Sequence, residues 1–236
     1  MKIKYALTAC DNNPLYYEFW PSVSKIWQEF FKIEPILIYV GEELPKELED
    51  NKYGQIIKFK PSDKLPTATQ SQFIRLWYAK EFKDDIIITT DIDMYPLSKH
   101  YFIYQLRNIS DEKFVFLRFS QNWNYNICYN IGKGNIFNEI LELDEDFEEL
   151  ALKQYNKCKL VKREWFTDEE YLAEKLNNYK GDKYIELLRD KPNRIDRAFW
   201  TFNPGFVALG FYYDCHSLRP YSQYKKQIDQ LIENLI

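Results

Sequence analysis

Short apolar runs alternate with stretches of helical periodicity through the first half of the chain, and this alternation restricts the fold more than any other feature. Consecutive parallel strands need a long crossover, usually a helix, so that helices cover both faces of the sheet. We therefore predict an α/β fold with a mostly parallel central sheet flanked by helices. The predicted strands are residues 3–9, 36–40, 56–59 and 86–88, and the predicted helices are residues 14–31 and 69–82.

The second half of the chain is less regular and is predicted to extend the same sheet along one side of a cleft. Its clearest element is an amphipathic final helix at 221–235, with Ile228, Leu231 and Leu235 on one stripe. No linker or internal repeat divides the 236 residues, so we predict a single domain over 1–236. The other predicted elements are strands at 114–119, 184–188 and 206–209 and helices at 135–156 and 168–178.

Charge and cysteine content exclude several classes of protein. The chain carries 32 Lys+Arg against 36 Asp+Glu, a net charge of −4, and has no basic stripe that would suit nucleic acid. Its four cysteines are widely spaced, which indicates neither a zinc knuckle nor a disulfide scaffold. The N-terminal residues are typical of a strand rather than a signal peptide, and no apolar run reaches the ~20 residues that span a bilayer. We expect a cytoplasmic protein without a transmembrane segment, at most peripherally associated with a membrane.

Two acidic residues directly after a strand are the strongest chemical motif. The apolar run 86–88 is predicted to be a strand buried on both faces, and Asp91-Ile92-Asp93 follows it. Open α/β sheets bind ligands at the carboxyl ends of their strands, and the i, i+2 spacing turns both carboxylates to one side. Hard oxygen ligands suit Mg²⁺ or Mn²⁺, which bind substrate phosphates as well. The motif predicts a diphosphate held by a divalent metal; the alternative is a pair of solvated acids that cap the strand.

Four features in order along the chain resemble the GT-A class of nucleotide-sugar-dependent glycosyltransferases. They are a first strand that ends in Leu7-Thr8-Ala9-Cys10-Asp11, a helix that carries Arg75, the motif Asp91-Ile92-Asp93, and a downstream region with Trp165-Phe166-Thr167-Asp168-Glu169 and His216. The chain looks most similar to the glycogenin and lipopolysaccharide galactosyltransferase group, or to small viral and bacterial glycan-building enzymes. The resemblance implies a GT-A, Rossmann-like fold, with a nucleotide-sugar-binding half at 1–97 and an acceptor-side half at 98–236.

The resemblance also implies a reaction. A sugar would move from a nucleotide diphosphate donor, with a UDP-sugar expected, to a hydroxyl of a glycan or glycoconjugate acceptor. Mn²⁺ or Mg²⁺ would be held by Asp91, Asp93 and His216, and Arg219 would help to neutralise the leaving diphosphate. The donor would also contact Thr8, Ala9, Cys10, Asp11, Arg75 and Ile92.

Three of these residues have ordinary structural alternatives. Arg75 shares one helix face with Ala68 and Gln72, where a ligand can approach, although a plain surface arginine shows the same spacing. Asp11 precedes Pro14 and could be the N-cap of the next helix. His216 is one of two histidines in the chain, and a lone histidine is more often structural than a ligand.

Asp168 and Glu169 open a predicted helix just after an aromatic pair. Acidic residues at a helix start are favoured by capping and by the helix dipole. On the cleft side, such a carboxylate could instead orient the donor sugar or take the acceptor's proton as a general base. Trp165 would then offer a platform for a sugar ring.

Three other functions compete with this one. A sugar nucleotidyltransferase shares the metal and the nucleotide but releases pyrophosphate. A phosphatase of the haloacid dehalogenase type would use Asp91 as a nucleophile, although its motif normally follows the first strand. A non-enzymatic glycan-binding module would use the aromatic residues, 18% of the chain, for stacking, whereas most of them are expected to lie in the core.

Overall fold

The computed structural model describes residues 1–117, 125–187 and 193–235. Within these ranges, no helix has the length and apolar content that crossing a membrane requires. The strands are β1 (Tyr5–Asp11), β2 (Glu34–Val40), β3 (Gln55–Phe59), β4 (Ile86–Thr89), β5 (Met94–Pro96), β6 (Phe114–Phe116), β7 (Asn130–Lys133), β8 (Tyr184–Glu186), β9 (Ile195–Asp196) and β10 (Asp214–His216).

Helices connect most of these strands. The α-helices are α1 (Pro14–Tyr17), α2 (Trp20–Lys25), α3 (Lys46–Glu49), α4 (Thr67–Trp77), α5 (Lys99–Phe102), α6 (Gly134–Leu141), α7 (Phe147–Leu160), α8 (Thr167–Asn178), α9 (Pro204–Ala208) and α10 (Tyr221–Glu233). A π-helical segment (Ile26–Phe31) continues α2, and short 3₁₀ segments lie at Tyr78–Phe82, Tyr104–Leu106, Glu164–Phe166 and Arg197–Phe199.

The main sheet has the strand order β3-β2-β1-β4-β7-β6-β8. Strands β1 to β4 are parallel, whereas β7 is antiparallel to both of its neighbours. The predicted α/β fold with a mostly parallel sheet is therefore confirmed. β6, β7 and β8 add the second half of the chain to this sheet, as the sequence indicates.

Alternate residues of the central strands pack into two separate cores. Ala6 and Cys10 of β1 belong to the core on one face, and Leu7 and Ala9 to the core on the other. The two faces of β4 divide in the same way. Such two-sided burial needs continuous apolar runs, and it places most of the large aromatic rings inside the protein. The aromatic excess therefore serves mainly the core.

A second, three-stranded sheet has the order β5-β10-β9. His216 of β10 pairs with Met94 of β5 on one side and with Asp196 of β9 on the other. The backbone N–H of Ser217 also donates to the carbonyl oxygen of Asp93 at 3.0 Å. This small sheet therefore fixes the C-terminal histidine beside the acidic motif.

The strand predicted at 206–209 is wrong, because these residues belong to helix α9 and its end. Asn203 caps that helix by accepting a hydrogen bond from the Phe206 N–H at 3.2 Å, and Pro204 occupies its first turn. This Asn-Pro start favours a helix over the apolar run's tendency to form a strand.

Two predicted helices are divided in the structure. The helix at 135–156 breaks at Glu142, whose φ of 53° ends α6, and Asp146 then caps α7. The helix at 14–31 is split into α1, α2 and the π-helical segment. Residues 118–119 and 188, at the ends of two predicted strands, lie outside the described residues.

Candidate active site

A cavity of about 310 Å³ lies where β1 and β4 end, at the carboxyl edge of the parallel strands. This is the edge at which open α/β sheets bind ligands. The cavity lies within the size range of small-molecule sites. The predicted residues that line it are Ala9, Cys10, Asp11, Arg75, Asp91, Ile92, Asp93, Trp165, Asp168, Glu169, His216 and Arg219. Thr8 is buried within β1, one residue before this lining begins.

Asp11 lies at the end of β1 and faces the start of α4. Its Oδ2 accepts a hydrogen bond from the Thr67 hydroxyl at 2.8 Å. The N-cap of α1 is Asn13, whose side chain accepts from the Leu15 N–H at 3.1 Å. The capping alternative for Asp11 is therefore wrong, and its carboxylate is held at the cavity wall by a neighbouring helix.

Arg75 is buried, only 6% exposed, and joins two acidic residues of the cavity. Its Nη1 donates to Asp91 Oδ1 and, at 3.0 Å, to the carbonyl oxygen of Thr90. Its Nη2 lies 3.3 Å from Asp168 Oδ2. The surface-arginine alternative is wrong, since this guanidinium ties the end of β4 to the start of α8.

The contact with Arg75 balances the charge of Asp168 only in part. The pKa of the Asp168 carboxyl group is raised from 3.8 to about 6, mainly by burial; the nearby Asp91 also raises it, whereas Arg75 lowers it. The guanidinium, which is shared with Asp91, does not offset the loss of solvent around the Asp168 carboxylate. The pKa of about 6 places Asp168 near the range that suits a general base at neutral pH.

Asp93 is the meeting point of three basic side chains. The carboxylate is 5% exposed, and its Oδ2 lies 3.3 Å from Arg197 Nη1, 3.5 Å from His216 Nε2 and 3.6 Å from Arg219 Nε. Arg219 Nη1 also donates to the Tyr16 hydroxyl at 2.7 Å, which fixes the guanidinium at the cavity wall. Positive charge is therefore concentrated beside one buried carboxylate.

His216 is oriented by a second carboxylate on the adjacent strand. Its Nδ1 lies 3.5 Å from Asp196 Oδ2, while its Nε2 contacts Arg197 Nη2. A histidine with one ring nitrogen facing a carboxylate and the other facing the cavity has the arrangement of a metal ligand.

The predicted metal ligands have the ligand atoms that a divalent cation such as Mn²⁺ binds. Asp93 and His216 offer an oxygen and a nitrogen ligand at the same point of the cavity, and Asp91 lines the same cavity. Among the described residues, no three His, Cys, Asp or Glu side chains are grouped closely enough to form a complete metal site. Mg²⁺ and Mn²⁺ commonly use few protein ligands and complete their shells with water and phosphate oxygens.

The mouth of the cavity carries aromatic and acidic groups from the start of α8. Trp165 is 55% exposed and lines the cavity beside Phe166. Glu169 lines it as well, and its backbone N–H donates to Asp168 Oδ1 at 2.9 Å. An exposed aromatic face next to carboxylates is suited to contact a sugar ring and its hydroxyl groups.

Arg197 is a residue of the site that no pattern in the sequence indicates. It begins a single 3₁₀ turn after the two-residue strand β9, and neither element has a detectable periodicity. Its contact with Asp93 spans 104 residues, so no local spacing could have indicated it. Tyr16, within the predicted helix 14–31, was not singled out either.

No protein-family model and no curated protein matches the sequence. The solved structures to which it is similar include the following three. The glycosyltransferase GlyE of Streptococcus pneumoniae is 12% identical with a TM-score of 0.48, and the match covers 100% of this chain and 61% of GlyE. The galactosyltransferase LgtC, in complex with donor and acceptor sugar analogs, is 10% identical with a TM-score of 0.49, and the match covers 97% of this chain and 95% of LgtC.

The third is the bifunctional glycosyltransferase WbbM, 10% identical with a TM-score of 0.40, where the match covers 99% of this chain and 49% of WbbM. This chain thus spans 61% of the length of GlyE and about half that of WbbM. All three neighbours are glycosyltransferases, the class that the sequence resemblance names. At this level of similarity the matches assign neither an activity nor a substrate to this chain.

Proposed function

We propose that this protein transfers a sugar from a nucleotide diphosphate donor, a UDP-sugar, to a hydroxyl of a glycan or glycoconjugate acceptor. The observation that carries the proposal is the arrangement around Asp93. A buried carboxylate at the carboxyl edge of the sheet lies within 3.6 Å of His216, Arg197 and Arg219 in one cavity. Such a cluster suits a diphosphate, because its charges can be matched by guanidinium groups and a carboxylate-held cation.

A divalent cation, Mn²⁺ or Mg²⁺, is part of the proposal. Asp93 and His216 would hold it, with Asp91 as the third ligand. When bound, the cation would act as a Lewis acid that stabilises negative charge on the leaving diphosphate. Arg219, anchored by Tyr16, would contact the same phosphates as a fixed positive charge.

The remaining residues of the cavity would bind and orient the two substrates. Ala9, Cys10 and Asp11 line the side nearest the end of β1, where the nucleoside of the donor would lie. Trp165 would pack against a sugar ring at the mouth. Asp168, with its pKa of about 6, would accept the proton of the attacking hydroxyl or fix the donor sugar through a hydrogen bond. In this proposal residues 1–97 supply most of the donor side and residues 98–236 the acceptor side.

Binding and product analysis test this function. Calorimetry with UDP should show binding that Mn²⁺ strengthens and a chelator weakens, and a panel of nucleotide-sugars should identify one that is hydrolysed or transferred with release of nucleoside diphosphate. Release of pyrophosphate would instead identify a nucleotidyltransferase. Sugar binding that ignores the chelator, with no affinity for a nucleotide, would identify a glycan-binding module.

The variant Asp93→Ala tests the proposed centre directly. We expect transfer to fall by at least about 100-fold, because the cation and the guanidinium groups lose their shared partner. The circular dichroism spectrum should stay that of the folded protein. Turnover near that of the wild type under metal-limited conditions would contradict the proposed role of Asp93.

A further inference from the structure

Arg197 occupies the space between the two side chains proposed to hold the cation. Its Nη1 lies 3.3 Å from Asp93 Oδ2, and its Nη2 contacts His216 Nε2. The oxygen and nitrogen that it contacts are the atoms that a divalent cation would need. The guanidinium of Arg197 therefore lies where a divalent cation held by Asp93 and His216 would lie.

His216 is oriented at this point by its neighbour on β9. Asp196 Oδ2 faces Nδ1 at 3.5 Å, and Nε2 lies against Asp93 and Arg197. A guanidinium and a metal ion cannot occupy the same position beside Nε2 at once. Binding of the cation at Asp93 and His216 therefore requires that Arg197 leave.

The surroundings of Arg197 allow this movement and favour it. The side chain is 26% exposed, and it begins a single 3₁₀ turn whose Phe199 is 82% exposed, so it can leave without repacking the core. Arg219 already lies 3.6 Å from the same carboxylate oxygen. A doubly charged ion added beside two guanidinium groups would repel both, and Arg197 is the one without the anchoring hydrogen bond that Arg219 makes to Tyr16.

We infer that Arg197 and the divalent metal compete for Asp93 and His216: the guanidinium holds both side chains in place, gives way to the metal, and then contacts the diphosphate of the donor. The inference rests on the proposed function, because it assigns a residue to the same metal and donor site. It makes two opposite predictions for one residue. Removal of the guanidinium should strengthen binding of the metal alone and weaken binding of the nucleotide diphosphate when metal is present.

The experiment compares the wild type with Arg197→Gln and Arg197→Lys. Free Mn²⁺ is measured by electron paramagnetic resonance during titration, and UDP affinity is measured by calorimetry at saturating Mn²⁺. We expect Arg197→Gln to bind Mn²⁺ roughly five- to tenfold more tightly and UDP more weakly by a similar factor. Arg197→Lys keeps the positive charge and should bind Mn²⁺ nearly as the wild type does. The control is Arg107→Gln, an exposed arginine that stacks on Tyr104 away from the cavity and should change neither affinity.

Thermal melting of each variant establishes that it is folded before the affinities are compared. Mn²⁺ affinity that is unchanged or weaker in Arg197→Gln would overturn the inference. Absence of Mn²⁺ binding in every variant would overturn it too. In that case, sugar transfer by the metal-free wild type would show that the proposed glycosyltransferase function stands without the metal.

Discussion

The acidic side chains of the cavity differ in how their charge is balanced, and this difference sets their chemistry at the scale of single residues. Asp93 has three basic groups within 3.6 Å, whereas Asp168 shares Arg75 with Asp91. The buried carboxyl group of Asp168, whose basic partner is shared, is protonated more easily than an ordinary carboxyl group. Carboxylates of the same cavity can thus serve a positive ligand and a proton transfer respectively.

The raised pKa of Asp168 predicts a specific dependence of stability on pH. The folded state binds this proton more tightly than the unfolded state, whose carboxyl titrates near 3.8, so the free energy of unfolding falls as pH rises from about 4 through about 6. Asp168→Asn removes this pH-dependent loss of stability. Urea denaturation should therefore show that the substitution changes the free energy of unfolding, relative to the wild type, more favourably at pH 7.5 than at pH 4.5. The exposed Glu145→Gln serves as control. An identical effect of Asp168→Asn at both pH values would contradict the raised pKa.

The raised pKa of Asp168 also predicts how the activity depends on pH. If Asp168 accepts the proton of the attacking hydroxyl, kcat/KM should rise with pH through about 6 and level off above it. Asp168→Asn should abolish this limb together with most of the activity. A profile that keeps the limb in the variant would assign it to another group.

Short elements with no strong sequence signal decide where the histidine lies. β5 and β10 have three residues each and β9 has two, yet their pairing brings Met94, His216 and Asp196 side by side. Because the pairing register sets which residues are neighbours, the small sheet fixes the ring of His216 relative to the carboxylates of Asp93 and Asp196. The register of these strands therefore matters more to the site than their length.

The contact between Asp196 and His216 can be tested at this scale. Asp196→Asn keeps the oxygen that accepts from the Ala198 N–H, so the turn should persist, but it loses the charge opposite Nδ1. We expect Mn²⁺ affinity to fall by about 10-fold or more, measured by electron paramagnetic resonance. Nitrogen NMR of the His216 ring should show a shifted Nδ1 resonance, because the charge opposite that atom is lost. Asp229→Asn removes the charge that pairs with Lys225 but keeps an oxygen that can accept from the Tyr221 hydroxyl, and it should leave both readouts as they are.

The packing of α6 against the 3₁₀ turn at Tyr78–Phe82 depends on one glycine. A Cβ atom at Gly134 would lie 2.5 Å from the carbonyl oxygen of Ala79 and 2.7 Å from the backbone nitrogen of Lys83. We expect Gly134→Ala to lower the free energy of unfolding by about 1–3 kcal/mol in urea denaturation. Gly205→Ala is the matched control, because Gly205 is an exposed helical glycine whose new Cβ would approach only Asn203 Oδ1, at 3.2 Å. Equal stability of the two variants would contradict this account of the contact.

Across the whole molecule, the cavity is built from both halves of the chain. Residues at the ends of β1 and β4 form one wall, and residues from α8, the 3₁₀ turn after β9 and the end of β10 form the other. A ligand in this cavity would therefore link segments that meet only in the folded protein. Such a ligand stabilises the native state through mass action, since the unfolded chain cannot bind it.

Ligand binding should consequently appear in thermal unfolding. UDP at about 100 times its Kd with Mn²⁺ should stabilise the protein by about 2.7 kcal/mol, which corresponds to a rise in Tm of roughly 5–10 °C. A chelator should reverse most of the rise, and Asp93→Ala should show little of it. If UDP raised Tm by the same amount with the chelator present, the proposed role of the metal in nucleotide binding would be wrong.

The sequence by itself determined the four parallel strands β1 to β4 and one wall of the site. The apolar run of β4 predicts a strand buried on both faces, and in a parallel sheet the acids that follow such a strand must lie at the ligand-binding edge. The same reasoning placed Asp11 at the end of β1. The positions of these strands follow from local periodicity and apolar runs. A single stretch of sequence is therefore enough to predict each strand and the acidic residues that follow it.

Only the tertiary structure decided what surrounds those acids. Arg197 comes from a three-residue 3₁₀ turn, and Asp196 and the neighbours of His216 come from strands of two or three residues. Such elements are too short for any periodic signal. Contacts across about 100 residues depend on how distant strands pair in space, and that pairing arises from the packing of the whole chain.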